Sequence, residues 1–211
     1  MQQPPTDEPL SPPVAGAGDD DDGSHAIPSG SPYVFSPDAH AHLTPYLAAL
    51  HGSCITHDRM TGSFLPPLNH EKLLGWWKVK MAEVAAERRV IIILLDESEP
   101  GARAKGPELV GAVMLGTPPT ETSPHCGLVE SLLVSPRHRS RGGARMLLAA
   151  LEVEAARRGR YLLRAETASG SAAEEVFKKA SYQLVGKIPG YTVNLAGEKL
   201  DEAIFYKDLS A

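Results

Sequence analysis

Cysteine is scarce in this chain. Only Cys54 and Cys126 occur among 211 residues, far apart, so neither a disulfide framework nor a zinc-ligand spacing is present. His51, His57 and His70 are scattered and fit no metal motif either. A reducing, cytoplasmic setting and a metal-free chemistry are expected. Long apolar runs are also lacking. The longest aliphatic stretch, residues 90–95, suits a buried strand and falls far short of the ~20 residues a membrane helix needs. The first 32 residues contain no Lys or Arg and no apolar stretch of useful length, which argues against a signal peptide and a membrane role.

That same segment carries six acids, Asp7, Glu8 and Asp19 to Asp22, among many Pro, Gly and Ser. Composition predicts a disordered acidic tail over 1–32 and one folded domain over 33–211. Setting the tail aside leaves 20 acidic against 21 basic residues, so the net charge of −5 belongs to the tail. A near-neutral domain gives no reason to expect nucleic acid as a partner.

The pattern from residue 33 onward predicts a strand at 33–36, helices at 38–51 and 69–88, and a loop at 52–68. Strands follow at 90–95, 109–115 and 128–134, then a helix at 142–158. A strand at 161–167, a helix at 171–180 and strands at 182–188 and 203–209 complete the chain. Seven strands and about four helices in this order predict an α/β (α+β) domain, with one mixed, mostly antiparallel sheet flanked by helices.

Residues 134–145, VSPRHRSRGGAR, carry the chemistry. A strand ends at Val134, and Arg137, His138, Arg139 and Arg141 precede Gly142-Gly143-Ala144 and an amphipathic helix. The first turn of a helix has unpaired N–H groups and a positive dipole end. Small residues let phosphate oxygens approach the backbone, and arginines add bidentate donors. A solvated basic loop is the competing explanation for the bare pattern.

Arg139-x-x-Gly142-x-Ala144 resembles the pyrophosphate-loop motif of the GNAT family of N-acetyltransferases. The likeness extends through ESLLVSP, LLAALEVEAARRG, YLLRAET and SAAEEVFKKASYQLVG. SGSAAEEVFKKASYQLVGKIPGY followed by AIFYKDL is similar to the tabtoxin-resistance acetyltransferases, which inactivate an amino-acid-like toxin by acetylating its amine. The resemblance implies the GNAT fold with a splayed central strand pair. It also implies acetyl-CoA as co-substrate, held by Leu132, Leu133 and Val134 along the pantetheine arm. Arg139, Ser140, Arg141, Gly142, Gly143, Ala144 and Arg145 would surround the pyrophosphate, with Ser171 and Phe177 beside the cofactor.

Two acids are candidate bases for deprotonating an amine. Strand alternation puts Glu130 on one face with Leu128, Leu132 and Val134, where desolvation would favour a base; an ion pair with a nearby cation is the alternative role. Glu166 is the second, at the end of a strand where the tabtoxin-resistance enzymes have an Asp; a helix-start or turn carboxylate is its alternative. Phe177 departs from the family pattern, since many members place there a Tyr that protonates the CoA sulfur, and Phe has no hydroxyl. Tyr182 reads as a core aromatic. Tyr191 and Phe64 are the candidate acceptor-lining residues, within the segments 189–202 and 52–68. The leading expectation is an acetyltransferase acting on a small-molecule amine, such as an amino-acid-like compound, toxin or antibiotic, working as a monomer or homodimer. A protein or peptide N-acetyltransferase, or a non-catalytic acyl-CoA-binding protein, are the other readings.

Overall fold

The computed structural model describes residues 30–58, 64, 65, 67–97 and 107–210. Most of the expected acidic tail, 1–29, lies outside them; its last two positions, Ser31 and Pro32, begin the first strand.

The chain runs β1 (Ser31–Val34), α1 (Pro37–His40), α2 (Thr44–Asp58), α3 (His70–Ala85), β2 (Arg89–Asp96), β3 (Glu108–Gly116) and β4 (Cys126–Val134). It continues with α4 (Gly143–Arg157), β5 (Leu162–Ala168), α5 (Ala172–Lys179), β6 (Gln183–Val193) and β7 (Lys199–Asp208). Seven strands form one sheet in the order β1-β2-β3-β4-β5-β7-β6, antiparallel throughout except for the parallel pair β4–β5. The mixed, mostly antiparallel sheet expected from the element order is therefore present.

Both faces of the sheet are covered. Ile92, Leu94, Val113 and Val129 meet Leu147, Leu148 and Leu151 of α4 and Phe177 of α5 in one core. Ile91, Ile93, Ala112 and Met114 meet Leu47, Ile55, Leu73 and Trp77 of α2 and α3 in the other. The aliphatic stretch 90–95 of β2 supplies side chains alternately to both, which explains why that stretch has no polar position. Asn69 caps α3 by accepting a hydrogen bond from the Lys72 amide at 3.0 Å, as its position before an apolar-periodic run predicts.

Two connections differ from expectation. Residues 52–58 continue α2 rather than opening a loop. Gly52 and Ser53 are weak helix formers, but Cys54 and Ile55 pack into the α2–α3 core, and burial outweighs local propensity. Likewise, most of 189–202 is not a loop. β6 and β7 extend into a long hairpin whose turn is closed by Asn194, which accepts from the amides of Ala196 and Glu198. Pro189-Gly190, read as a strand end, is instead an irregularity within β6, with Gly190 at φ 60°.

Candidate active site

The central feature is a bulge in β4. Ala112 pairs with Leu133 and Met114 with Glu130, so one residue of β3 faces two of β4, Ser131 and Leu132. Ser131 takes a left-handed φ of 51° to make this possible. The bulge reverses the phase of the strand. Leu132 and Val134 join Val129 on the α4 face, while Leu133 is buried on the α2–α3 face. Plain alternation placed Glu130 with Leu132 and Val134, and that is incorrect. Glu130 lies on the opposite face, beside Gly116 and Met114, because the extra residue shifts everything after it.

Beyond the bulge the sheet opens. β4 and β5 pair only from Cys126–Leu162 to Val129–Ala165, and their C-terminal halves diverge. Residues 130–134 of β4 and 166–168 of β5 thus flank a wedge. A splayed pair of this kind offers strand backbone groups to an extended amide-bearing chain, as an added strand would use them.

At the wide end of the wedge the chain turns into α4. Residues Pro136–His138 form a 3₁₀ turn, Arg139 is extended, and Ser140 and Gly142 have φ of 57° and 78°. Gly142 is the N-cap of α4. A Cβ on Gly143 would lie 3.2 Å from Leu94 Cδ2, so the helix start sits hard against the sheet. These left-handed residues leave the first amides of α4 pointing outward as an anion cradle. The cations divide their work. Arg139 turns inward and donates from Nε and Nη2 to the Val134 carbonyl, each at 3.2 Å, tying the loop to the strand end. The His138 ring lies against Asp96, Nε2 to Oδ2 3.5 Å. Arg137, Arg141 and Arg145 are exposed around the cradle.

Glu130, Glu166 and Glu202 lie on the sheet face opposite α4 and α5. Glu130 accepts a short hydrogen bond from Nη1 of buried Arg89, whose Nε donates to Glu83 at 2.6 Å. Glu166 is held by Arg164, 3.1 Å away on the same strand. Glu202, on β7, received no role from the sequence. It is 9 % exposed and its Oε2 has no hydrogen-bond partner among the described residues. Burial, and then the charge of Glu166, push its carboxyl above the usual range. The 202–208 stretch alternates Glu202, Ile204, Tyr206 against core-facing Ala203 and Phe205, and that alternation was the available clue to a carboxylate on the inner face of a strand.

The remaining candidates separate. Ser171 caps α5, accepting from the Glu174 amide at 3.2 Å and contacting Thr167 Oγ1 at 3.0 Å. Phe177 is 3 % exposed, stacks with Phe205 at 5.8 Å and meets the tilted ring of Tyr182 at 5.2 Å. The Tyr182 hydroxyl is buried beside Glu152 on the α4 side, and burial pushes its pKa far up. Phe64 is buried against His51 and Trp76. Tyr191 is exposed on β6. Among the described residues no group of His, Cys, Asp and Glu could hold a metal, and no helix is long and apolar enough to cross a membrane.

Bulge, wedge and helix-start cradle define an acyl-CoA-type transferase scaffold. The sequence profile of the acetyltransferase (GNAT) family matches residues 62–182, and the chain belongs to that family. Solved structures agree on the fold. RimL, a ribosomal L7/L12 alpha-N-protein acetyltransferase in complex with coenzyme A, superposes with a TM-score of 0.68 at 13 % identity, over 87 % of this chain and 96 % of its own. The Salmonella typhimurium protein yncA, with its cofactor acetyl-CoA, gives 0.65 at 16 % identity, over 86 % and 94 %. The ribosomal-protein-alanine N-acetyltransferase of Brucella melitensis gives 0.63 at 21 % identity, over 83 % and 99 %.

Proposed function

We propose that this acetyltransferase moves the acetyl group of acetyl-CoA to the amine of a small molecule, by direct attack within a ternary complex. The observation that carries the small-acceptor reading is the β6–β7 hairpin. Its strands span 11 and 10 residues, and Leu195 at its turn packs back against the α2–α3 core. A hairpin returning over the open sheet face encloses the acceptor side, which suits a compact amine better than a long peptide.

The residues present fit acetyl-CoA. The α4 start, with Ser140 to Ala144 and exposed Arg141 and Arg145, has the shape and charge for a pyrophosphate. Backbone groups of Leu132 to Val134 line the wedge for the pantetheine amides, and an amide near Leu133 or Val134 polarises the thioester oxygen. Acetyl-CoA, when bound, supplies the activated acyl carbon. Phe177 lies in the core away from solvent and serves packing. Glu130 and Glu166 flank the wedge as acidic groups, each held by an arginine. Tyr191 projects from the hairpin to line the acceptor entrance, and Phe64 supports that side from within the α2–α3 core. An amino-acid-like compound, toxin or antibiotic is the acceptor class, supported by the likeness of 169–191 to the tabtoxin-resistance enzymes.

Thiol release from acetyl-CoA, followed with a panel of small amines and of N-terminal and lysine peptides, tests this reading. Turnover of small amines at least tenfold above peptides is expected. A preference for peptides would overturn the small-acceptor reading, and no turnover of any acceptor would overturn the acetyl-transfer reading itself.

A further inference from the structure

Glu202 is the carboxylate that the scaffold does not use. Its neighbours in the sheet are Ala168 of β5 and Ile188 of β6, and it lies diagonally from Glu166, which pairs with Ile204. Diagonal partners on one face sit roughly 7–8 Å apart, within the reach of one small cation between two long side chains. The alternation of β7 aims Glu202 at the face opposite Phe205 and α5, toward the open half of β5. A second polar group on that face is equally unmatched. Thr192 of β6 stands opposite Leu200, two residues along β7 from Glu202, and its buried Oγ1 has no partner among the described residues.

Two buried polar groups left without partners cost stability, a charged one more than a neutral one. The cations nearby are otherwise engaged. Arg164 holds Glu166 along β5, Arg89 of β2 holds Glu130 over β3, and Lys187 lies on the other face, bound to Ser169 and Glu174. Tyr206 of β7 donates to Gln183. Of Glu130, Glu166 and Glu202, Glu202 is thus the one without an arginine partner among the described residues.

We propose that Glu202 receives the acceptor amine as an ammonium and removes its first proton, with the Thr192 hydroxyl accepting a hydrogen bond from the same nitrogen and Glu166 as the neighbouring charge. This rests on the acetyl-transfer reading above. The step balances as follows. A proton passes from the ammonium to the Glu202 carboxylate, and the freed nitrogen lone pair forms the C–N bond to the acetyl carbon. The C–S bond breaks, its electrons stay on sulfur, and the second proton lost by the nitrogen leaves with the sulfur as thiol. Glu202 then returns its proton to solvent. No tyrosine at position 177 is needed, because the thiol draws its proton from the substrate nitrogen.

The test compares the full-length wild type with Glu202→Gln, Glu202→Asp, Glu166→Gln and Thr192→Val. Acetyl-CoA affinity by calorimetry comes first and is expected within twofold of wild type in all. With the best amine of the panel above, E202Q is expected to lose at least 100-fold in kcat/KM and its acid limb in the pH profile, with partial recovery in E202D. E166Q should move that limb to lower pH, since the like charge is gone. T192V should raise the acceptor KM more than it lowers kcat. A readout independent of turnover is the carboxyl ¹³C resonance of Glu-labelled protein that E202Q removes. It should titrate above ordinary glutamate, and n-butylammonium chloride should shift its midpoint downward. Wild-type turnover with E202Q within threefold and an unchanged acid limb would overturn the proposal while leaving acetyl transfer intact. An ordinary Glu202 midpoint, indifferent to n-butylammonium, would overturn it as well. Absence of any wild-type turnover would sink the acetyl-transfer reading, and the proposed proton transfer with it.

Discussion

His51 shows what a single buried titratable group does to this protein. It sits at the centre of an aromatic box, with ring centroids of Phe64, Trp76 and Trp77 at 5.6, 5.2 and 6.1 Å. Burial lowers its pKa from 6.5 to about 4. The folded chain therefore binds this proton less readily than the unfolded chain, and stability rises with pH between those values. Acidification from pH 6.5 to 4 should cost roughly 3 kcal/mol at this site. Glu174 acts in a lower window. Hydrogen bonds from the Gly170 amide, then Lys178, hold its carboxyl at about 2, so its contribution is present above 4.5 and lost as pH falls toward 2. Urea midpoints measured from pH 7 to 3 should fall in two stages, and His51→Phe should flatten the first while leaving the second. Phe177 allows a second prediction. Packed against Phe205 and Tyr182, it leaves no solvent for a hydroxyl, so Phe177→Tyr should cost roughly 1–3 kcal/mol of stability. Its turnover should change less than tenfold, checked by thermal melting and thiol release.

The legibility of the chain changes at the level of the element. The α4 start was readable because three separate signals, glycines, cations and a following amphipathic helix, coincide over ten residues. Substituting Arg139→Glu with Gly142→Glu should weaken acetyl-CoA binding at least tenfold by calorimetry, since both the tie to Val134 and the open helix cap are lost. Unchanged affinity would remove the cradle assignment. The β4 bulge was not readable. Nothing in ESLLV announces an extra residue, because the bulge is imposed by pairing with β3 and tolerated by Ser131 in a left-handed conformation. That one extra residue is why strand alternation puts Glu130 on the face of Leu132 and Val134, while the folded sheet puts it on the other. The hairpin was missed for a related reason. Pro189 and Gly190 read locally as a stop, yet the β6–β7 register resumes at Thr192–Leu200 once the irregularity is passed. Glu202 is not legible in the sequence, because its significance comes from β5 and β6, which meet it only in the folded sheet.

At the scale of the whole molecule, two elements distant in sequence meet: Leu195 at the β6–β7 turn packs against the α2–α3 core. If that contact encloses the acceptor, Leu195→Asp should raise the acceptor KM at least fivefold and relax discrimination against bulkier amines. Acetyl-CoA affinity should stay within twofold, since α4 packs on the opposite face of the sheet from Leu195. A loss of CoA affinity instead would mean that the hairpin supports the donor side.

The parallel seam between β4 and β5 has a mechanical meaning. It joins two antiparallel units, residues 31–134 and 162–208, each continuous in sequence, through four residue pairs and α4. A ligand lodged in the wedge touches both units and so acts as mortar between them. At 100 times its dissociation constant such a ligand adds about 2.7 kcal/mol to the stability of the folded chain. The amides that gain most protection from exchange on loading should be those of the seam, Val129 and Ala165, rather than those of the already closed β2–β3 ladder.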